Sequence, residues 1–294
     1  MSDKPPKNVV SFSGGKDSTA LILWAREHLP DFEAVWMDTG WEHPLTYGYV
    51  DYIDEEVLGG SLRRLSSDEY EGFEDLSKQK GMVPSTKARF CTQKLKIEPL
   101  IAYFDGLRGE HEIHNYVGIR GGESKQRSEM PKKNFDSDHF GAWIHRPLLE
   151  WTADDVFDAL EKHGVRPNPL YKMGMRRVGC MPCIMSNHTD MRQVIDQFPE
   201  VIDEVRALEE ELGRSFFPPG YIPDRFCSRR ETYEVEVSET VDDMFGKREV
   251  TVTKKKTSHY PMIDDVVAYL REDDSQLDGF NEPQSCMSHY GICE

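Results

Sequence analysis

The chain has 294 residues, 38% hydrophobic and 30% charged, with 36 basic and 53 acidic side chains and a formal net charge of −17. Such a composition suits one large soluble domain, or one domain with an appendage. No run approaches the ~20 apolar residues of a membrane span, the first seven residues hold no apolar signal core, and so acidic a surface repels nucleic acid at long range. A cytoplasmic protein that is neither membrane-bound nor a nonspecific DNA binder is expected.

In chain order, the apolar run Asn8–Phe12 predicts a first strand. It ends in Ser13-Gly14-Gly15, followed by Lys16-Asp17-Ser18 and a helical pattern over Ser18–His28. That is a strand, a tight loop and a helix N-terminus. Two adjacent glycines let backbone N–H groups turn toward one point, and the helix start adds partial positive charge. Lys16 adds a full charge. Such a nest holds a phosphate or pyrophosphate, although the string is not the P-loop pattern of GTPases and kinases.

Further strands are expected at Glu33–Met37, Ser61–Leu65, Asn115–Ile119 and Trp143–Pro147, with helical stretches between most of them, including Leu45–Leu58. This alternation predicts an α/β fold with a parallel sheet and helices on both faces. Ligands in such sheets sit beyond the C-terminal ends of the strands. The first loop, Asp38-Thr39-Gly40 and Gly118-Ile119-Arg120-Gly121 would gather at that edge.

Residues 152–163 read as a helix capped by Thr152, with Asp155 at the reciprocal position and Gly164 at its end. Another is expected over Pro199–Leu212. After Gly213 the character changes: Tyr233–Val237 and Glu249–Thr253 alternate like the strands of a hairpin, and a short helix over Asp264–Arg271 precedes a polar tail. The expected division is therefore residues 1–212 and a C-terminal extension, 213–294, that packs on the core.

Six cysteines are present: Cys91, Cys180, Cys183, Cys227, Cys286 and Cys293. An intracellular chain of this size needs no disulfides. The Cys180-Met181-Pro182-Cys183 pair can place two thiolates on one metal centre, as in zinc sites and iron–sulfur clusters. The bland alternative is a pair of small buried side chains. Cys91 upstream, and Cys286 or Cys293 in the tail, are the further candidate ligands. Spacing alone does not separate zinc from iron–sulfur.

Taken together and in order, several segments resemble the phosphoadenosine-phosphosulfate (PAPS) reductase family of PP-loop enzymes, the adenine-nucleotide alpha hydrolases. They are Ser11-Phe12-Ser13-Gly14-Gly15-Lys16-Asp17-Ser18, then Asp38-Thr39-Gly40, then Arg89 with Cys91 and Lys96, then Gly118-Ile119-Arg120 with Glu123, Ser124 and Arg127. Trp151-Thr152 with Asp155, Asn168-Pro169-Leu170-Tyr171 and Gly179-Cys180-x-x-Cys183 complete the series. The resemblance implies a HUP-like sheet with an adenine-nucleotide site. Ser13, Gly14, Gly15, Lys16, Asp17 and Ser18 would hold the phosphates, with Ser11 and Gly118 nearby. Asp38 and Thr39 would lie near the adenosine, and Arg120 and Arg127 near the anionic part of the ligand. It also implies a 4Fe–4S centre on Cys91, Cys180 and Cys183, with zinc as the alternative.

Two departures from the family pattern bear on function. Cluster-bearing reductases carry a Cys-Cys tandem where this chain has Cys91-Thr92, so a fourth ligand is expected from Cys293, with Cys286 as the other source. The reductases' C-terminal Glu-Cys-Gly-Leu-His is also replaced, here by Ser285-Cys286-Met287-Ser288-His289. The favoured expectation is Mg²⁺–ATP-dependent adenylation with pyrophosphate release, with Lys16 and Asp17 as catalytic residues. Sulfur from a donor is then transferred to an acceptor; relatives of this type act on DNA and tRNA, so a nucleic-acid acceptor is one candidate. The alternative is reduction of PAPS or adenosine phosphosulfate, with Cys286 as nucleophile and a thioredoxin-type reductant. A third reading is a nucleotide-binding module without turnover.

Overall fold

The structure is a computed structural model that describes residues 4–243 and 246–272. The expected roles of Cys286 and Cys293 fall outside the described residues. The chain divides into two compact units, one running through Val201 and the other starting at Ile202.

In the first unit, six strands form one sheet: β1 (Pro6–Phe12), β2 (Glu33–Met37), β3 (Arg63–Leu65), β4 (Glu112–Tyr116), β5 (Lys133–Asp136) and β6 (Ala142–His145). Their spatial order is β3-β2-β1-β4-β6-β5. Every neighbouring pair is parallel except β5 with β6. Strand order reverses between β1 and β4, and a crevice at the strand C-termini is the usual ligand position at such a reversal.

Consecutive strand residues feed opposite faces of the sheet. Val10, Phe12, Ala34, Trp36 and Tyr116 join Leu21, Ile22, Tyr49, Val156 and Leu160 in one core. Val9, Val35, Met37, Ile113 and Ile144 join Leu100 and Phe104 in the other. Helices α1 (Lys16–His28), α2 (Pro44–Tyr52) and α4 (Ala153–Lys162) thus lie on one face, and α3 (Glu98–Leu107) on the other. This is the expected α/β layering.

Several boundaries differ from expectation. Strand β4 lies three residues earlier than predicted: the Val117 N–H still donates to the carbonyl of His145 at 2.9 Å, the last bond of the ladder to β6, and Val117 and Ile119 are apolar through burial in the loop that follows. Strand β5 was not foreseen; its Lys-Asn-Phe-Asp sequence is that of a polar edge. The capping box is present, with Thr152 Oγ1 accepting from Asp155 N at 3.1 Å and Asp155 Oδ2 accepting from Thr152 N at 2.7 Å.

The second unit holds a two-stranded antiparallel sheet, β7 (Arg229–Asp243) with β8 (Gly246–Tyr260), and helix α5 (Ile263–Glu272). Each strand is 15 residues long, against the five expected from apolar alternation. Glu209 is 1% exposed and accepts from the amides of Phe216 at 2.6 Å and Ile263 at 2.7 Å, tying three segments together. Burial pushes its carboxyl up to about 7.

Candidate functional site

The loop after β1 is shaped by its glycines and braced from a distance. Gly14 has φ +83°, and a Cβ there would meet Thr46 Cγ2 at 3.0 Å. Its carbonyl accepts from Asn168 Nδ2 at 3.1 Å, and the Lys16 amide donates to the Tyr171 hydroxyl at 3.0 Å. The Ser18 hydroxyl accepts from the Ser13 amide at 3.1 Å and donates to the Gly15 carbonyl at 3.0 Å. Gly118, after β4, packs on the start of α1: a Cβ would come within 3.1 Å of the Asp17 carbonyl carbon and the Ser18 nitrogen. The loops after β1 and β4 therefore meet at the strand reversal.

Charge alternates along this junction. Asp17 is 0% exposed; it accepts from Lys16 Nζ at 2.8 Å and from Arg120 Nε at 2.5 Å. Arg120 reaches Glu123 at 4.0 Å, and Glu123 pairs with the buried Arg127. Two cations thus converge on one buried carboxylate at the mouth of the glycine loop, and a third cation follows. Buried cations are stabilised by such pairing, which holds Lys16 and Arg120 in fixed orientation. Ser11 is placed differently: its hydroxyl donates to Asn115 Oδ1 at 2.9 Å inside the sheet.

The loop after β2 meets the Cys-x-x-Cys loop. The Met181 amide donates to the Trp41 carbonyl at 2.8 Å, and Trp41 Nε1 donates to the Pro182 carbonyl at 3.1 Å. At this seam Glu42 is buried; it accepts from the Thr39 hydroxyl at 2.6 Å and lies 3.7 Å from Cys180 Sγ. Burial pushes the Glu42 carboxyl up, opposed by Lys96, and burial raises the Cys180 thiol well above its ordinary range. Asp38 accepts from the Tyr47 hydroxyl at 2.9 Å and from the Gly40 amide at 2.9 Å. Phe12, Ser13, Glu42, Lys96, Arg177 and Cys180 line one cavity that joins the glycine loop to the cysteine loop.

Cys91, Cys180 and Cys183 line a second small cavity with Arg89 and Lys96. Among the described residues, no group of three or more His, Cys, Asp or Glu side chains is placed to hold a metal ion. The donor chemistry fits a thiolate-ligated centre in kind, since three thiols face one cavity beside two cations. The described part of the set is incomplete.

Glu42, Asn168 and Tyr171 were not expected as parts of one site. Nothing in Thr39-Gly40-Trp41-Glu42 marks the glutamate as buried. Asn168 and Tyr171 stand out in sequence within a motif, and only folding brings them to a loop some 155 positions away.

Residues 7–186 match the phosphoadenosine phosphosulfate reductase domain. The chain is 30% identical to an uncharacterized 37.8 kDa protein of Escherichia phage 186, across 98% of this chain and 96% of that protein. It is 27% identical to an adenosine 5'-phosphosulfate reductase of Rhodococcus opacus, across 58% of this chain and 66% of that protein. A solved PAPS reductase from Candida auris, in a phosphate complex, aligns with a TM-score of 0.47 and 18% identity over 60% of this chain and 81% of that one. The nest, the cysteine loop and the domain match lie within the same stretch, and the chain belongs to the phosphoadenosine phosphosulfate reductase family.

Proposed function

We propose that the protein is a PP-loop enzyme that binds ATP with its phosphates in the Ser13–Ser18 nest, transfers the adenylyl group to a substrate, and then exchanges it for sulfur. The observation that carries this reading is the convergence of Lys16 and Arg120 on buried Asp17 at the glycine loop. In the first step a substrate oxygen attacks the α-phosphorus, the bond from that phosphorus to the bridging oxygen breaks, and pyrophosphate leaves with the bonding pair. Charge grows on the leaving group, and pre-oriented cations and backbone dipoles stabilise such charge without reorganising. The magnesium ion that accompanies ATP supplies further positive charge when bound. In the second step a sulfide-level sulfur nucleophile from a donor attacks the substrate carbon or phosphorus that carries the adenylate, the bond from that centre to the bridging oxygen breaks, and AMP departs with the oxygen and the bonding pair.

Cys91, Cys180 and Cys183 would hold the iron–sulfur centre, or zinc in its place, with a fourth ligand drawn from the tail cysteines. When bound, such a centre supplies a sulfur-binding or electron-relaying group. Burial raises the Cys180 thiol, and the neighbouring Lys96 charge opposes that shift. That Ser13, Cys180 and Cys183 line one cavity supports coupling the two chemistries. The sulfur acceptor on this reading includes nucleic acid as a candidate.

A second reading is reduction of a sulfonucleotide, and the adenosine 5'-phosphosulfate reductase relatives favour it. There a cysteine thiolate, Cys286 being the candidate, would attack sulfur, and a thioredoxin-type dithiol would release sulfite. The two are separated by assaying anaerobically purified protein for isotope exchange between pyrophosphate and ATP, with tRNA, DNA or no added acceptor, and for sulfite from adenosine phosphosulfate or PAPS with a dithiol donor. Exchange without sulfite supports adenylation. Sulfite without exchange refutes it in favour of reduction, and neither activity despite nucleotide binding leaves a binding module.

A further inference from the structure

The first amides of a helix have no acceptor within it, and those of α1 open onto the glycine loop. Lys16 is the first residue of α1, and its single N–H donates to the Tyr171 hydroxyl at 3.0 Å. A phosphate oxygen seated at a helix start calls on the same kind of donor. At Lys16 the hydroxyl and such an oxygen are alternative acceptors for one hydrogen, and one must leave for the other to bind.

The loop's other contacts differ in kind. Asn168 Nδ2 donates to the Gly14 carbonyl at 3.1 Å, and a carbonyl has no hydrogen to offer a phosphate. The Ser18 hydroxyl, which takes the Ser13 amide at 3.1 Å and donates to the Gly15 carbonyl at 3.0 Å, belongs to α1 and moves with it. Tyr171 reaches the loop from outside, on the short helix Pro169–Lys172. Asn168 anchors that helix: its Oδ1 accepts from the Leu170 amide at 3.1 Å while its Nδ2 holds Gly14. Asn168 is 0% exposed and Tyr171 only half-buried, so the tyrosine can change rotamer on a backbone that stays fixed. Its ring lies 5.3 Å from Lys16 Nζ and meets Phe157 of α4 edge-on at 6.3 Å. Both of those contacts belong to the ring, so Tyr171→Phe keeps them and changes only the hydroxyl.

We infer that Tyr171 is a positioning residue whose hydroxyl holds the place of a ligand phosphate oxygen at the Lys16 amide and yields it when the nucleotide binds. The inference rests on the glycine nest being the phosphate site. It gives the hydroxyl two effects of opposite sign. Bonding the amide stabilises the loop, because a buried N–H without a partner is destabilising. The same bond is lost on binding, so it lowers the affinity for ATP. A hydroxyl that only braced the loop would raise that affinity instead.

Calorimetric titration of ATP into the wild-type chain, Tyr171→Phe and Lys16→Ala tests this. A neutral hydrogen bond corresponds to about 2- to 12-fold in an equilibrium constant, so Tyr171→Phe should bind ATP tighter than wild type by that factor. Thermal unfolding is the second measurement. Tyr171→Phe should melt below wild type without nucleotide, and the gap should close at saturating ATP, where the bond is absent from both proteins. Equal or weaker ATP binding by Tyr171→Phe, with Lys16→Ala weakened as a phosphate site requires, overturns the inference and leaves the phosphate site standing. A melting gap that persists at saturation overturns it in the same way. No binding of ATP by the wild type overturns both.

Discussion

Replacing Asp17 with asparagine removes the anion that Lys16 and Arg120 share while keeping the side chain's shape. Asp17 is fully buried, and its partners are only 12% and 10% exposed at the side chain, so water does little to replace the lost charge. Breaking a buried ion pair by removing one partner costs ~3–5 kcal/mol. Asparagine still accepts one hydrogen bond, so the lower figure applies, about 3 kcal/mol. For a unit of this size each kcal/mol moves the melting temperature by ~2–4 °C, which gives a fall of about 6–12 °C. Nucleotide phosphates bring negative charge back to the two cations, so saturating ATP should raise the melting temperature of Asp17→Asn more than that of the wild type. Thermal unfolding with and without ATP reads both effects. A variant that melts within about 1 °C of wild type, or gains no more from ATP, refutes the view that the buried Asp17 carboxylate balances Lys16 and Arg120 at a phosphate site.

Gly118→Ala would press a methyl group on the backbone of Asp17 and Ser18 at 3.1 Å. Nucleotide affinity should fall at least ~10-fold while far-ultraviolet circular dichroism stays unchanged; unaltered affinity would show that the two loops do not set each other's position. Burial pushes the Glu209 carboxyl up to about 7 from an ordinary 4.5. Its folded value is raised, so its contribution is full below pH ~4.5 and is lost as pH climbs through ~7, by about 3 kcal/mol at most. Denaturant midpoints measured from pH 4 to 8 should show that decline in the wild type and a flatter profile in Glu209→Gln; parallel profiles would contradict it. Anaerobically purified protein should contain iron and sulfide in matching amounts, and Cys180→Ala should lose both while Cys227→Ala keeps them. A colourless wild type carrying zinc would sink the iron–sulfur reading.

The shape of the glycine loop was legible because its signal is local: an apolar strand, two glycines and a helix start occur in one run of ten residues. The parallel sheet followed from alternation, since β1 and β2 are apolar enough to be buried on both faces. Glu42 was not legible, because burial of a glutamate depends on the Cys180–Cys183 loop folding over it. The Asp17–Arg120 pair joins positions 103 apart, and each residue taken alone reads as an ordinary charge. The length of the β7–β8 ribbon was hidden because its charges outnumber its apolar residues, and periodicity reports only the part that alternates. Edge strand β5 was missed for the same reason.

The most direct test of the central claim is calorimetric titration of ATP into the wild-type chain and into Lys16→Ala. Loss of one charged hydrogen-bond donor to a phosphate is worth ~1.5–3 kcal/mol, so the dissociation constant should rise about 10- to 150-fold. Equal affinity in the two proteins, or no binding of ATP by the wild type, would contradict the assignment of the glycine nest and Lys16 as the phosphate site.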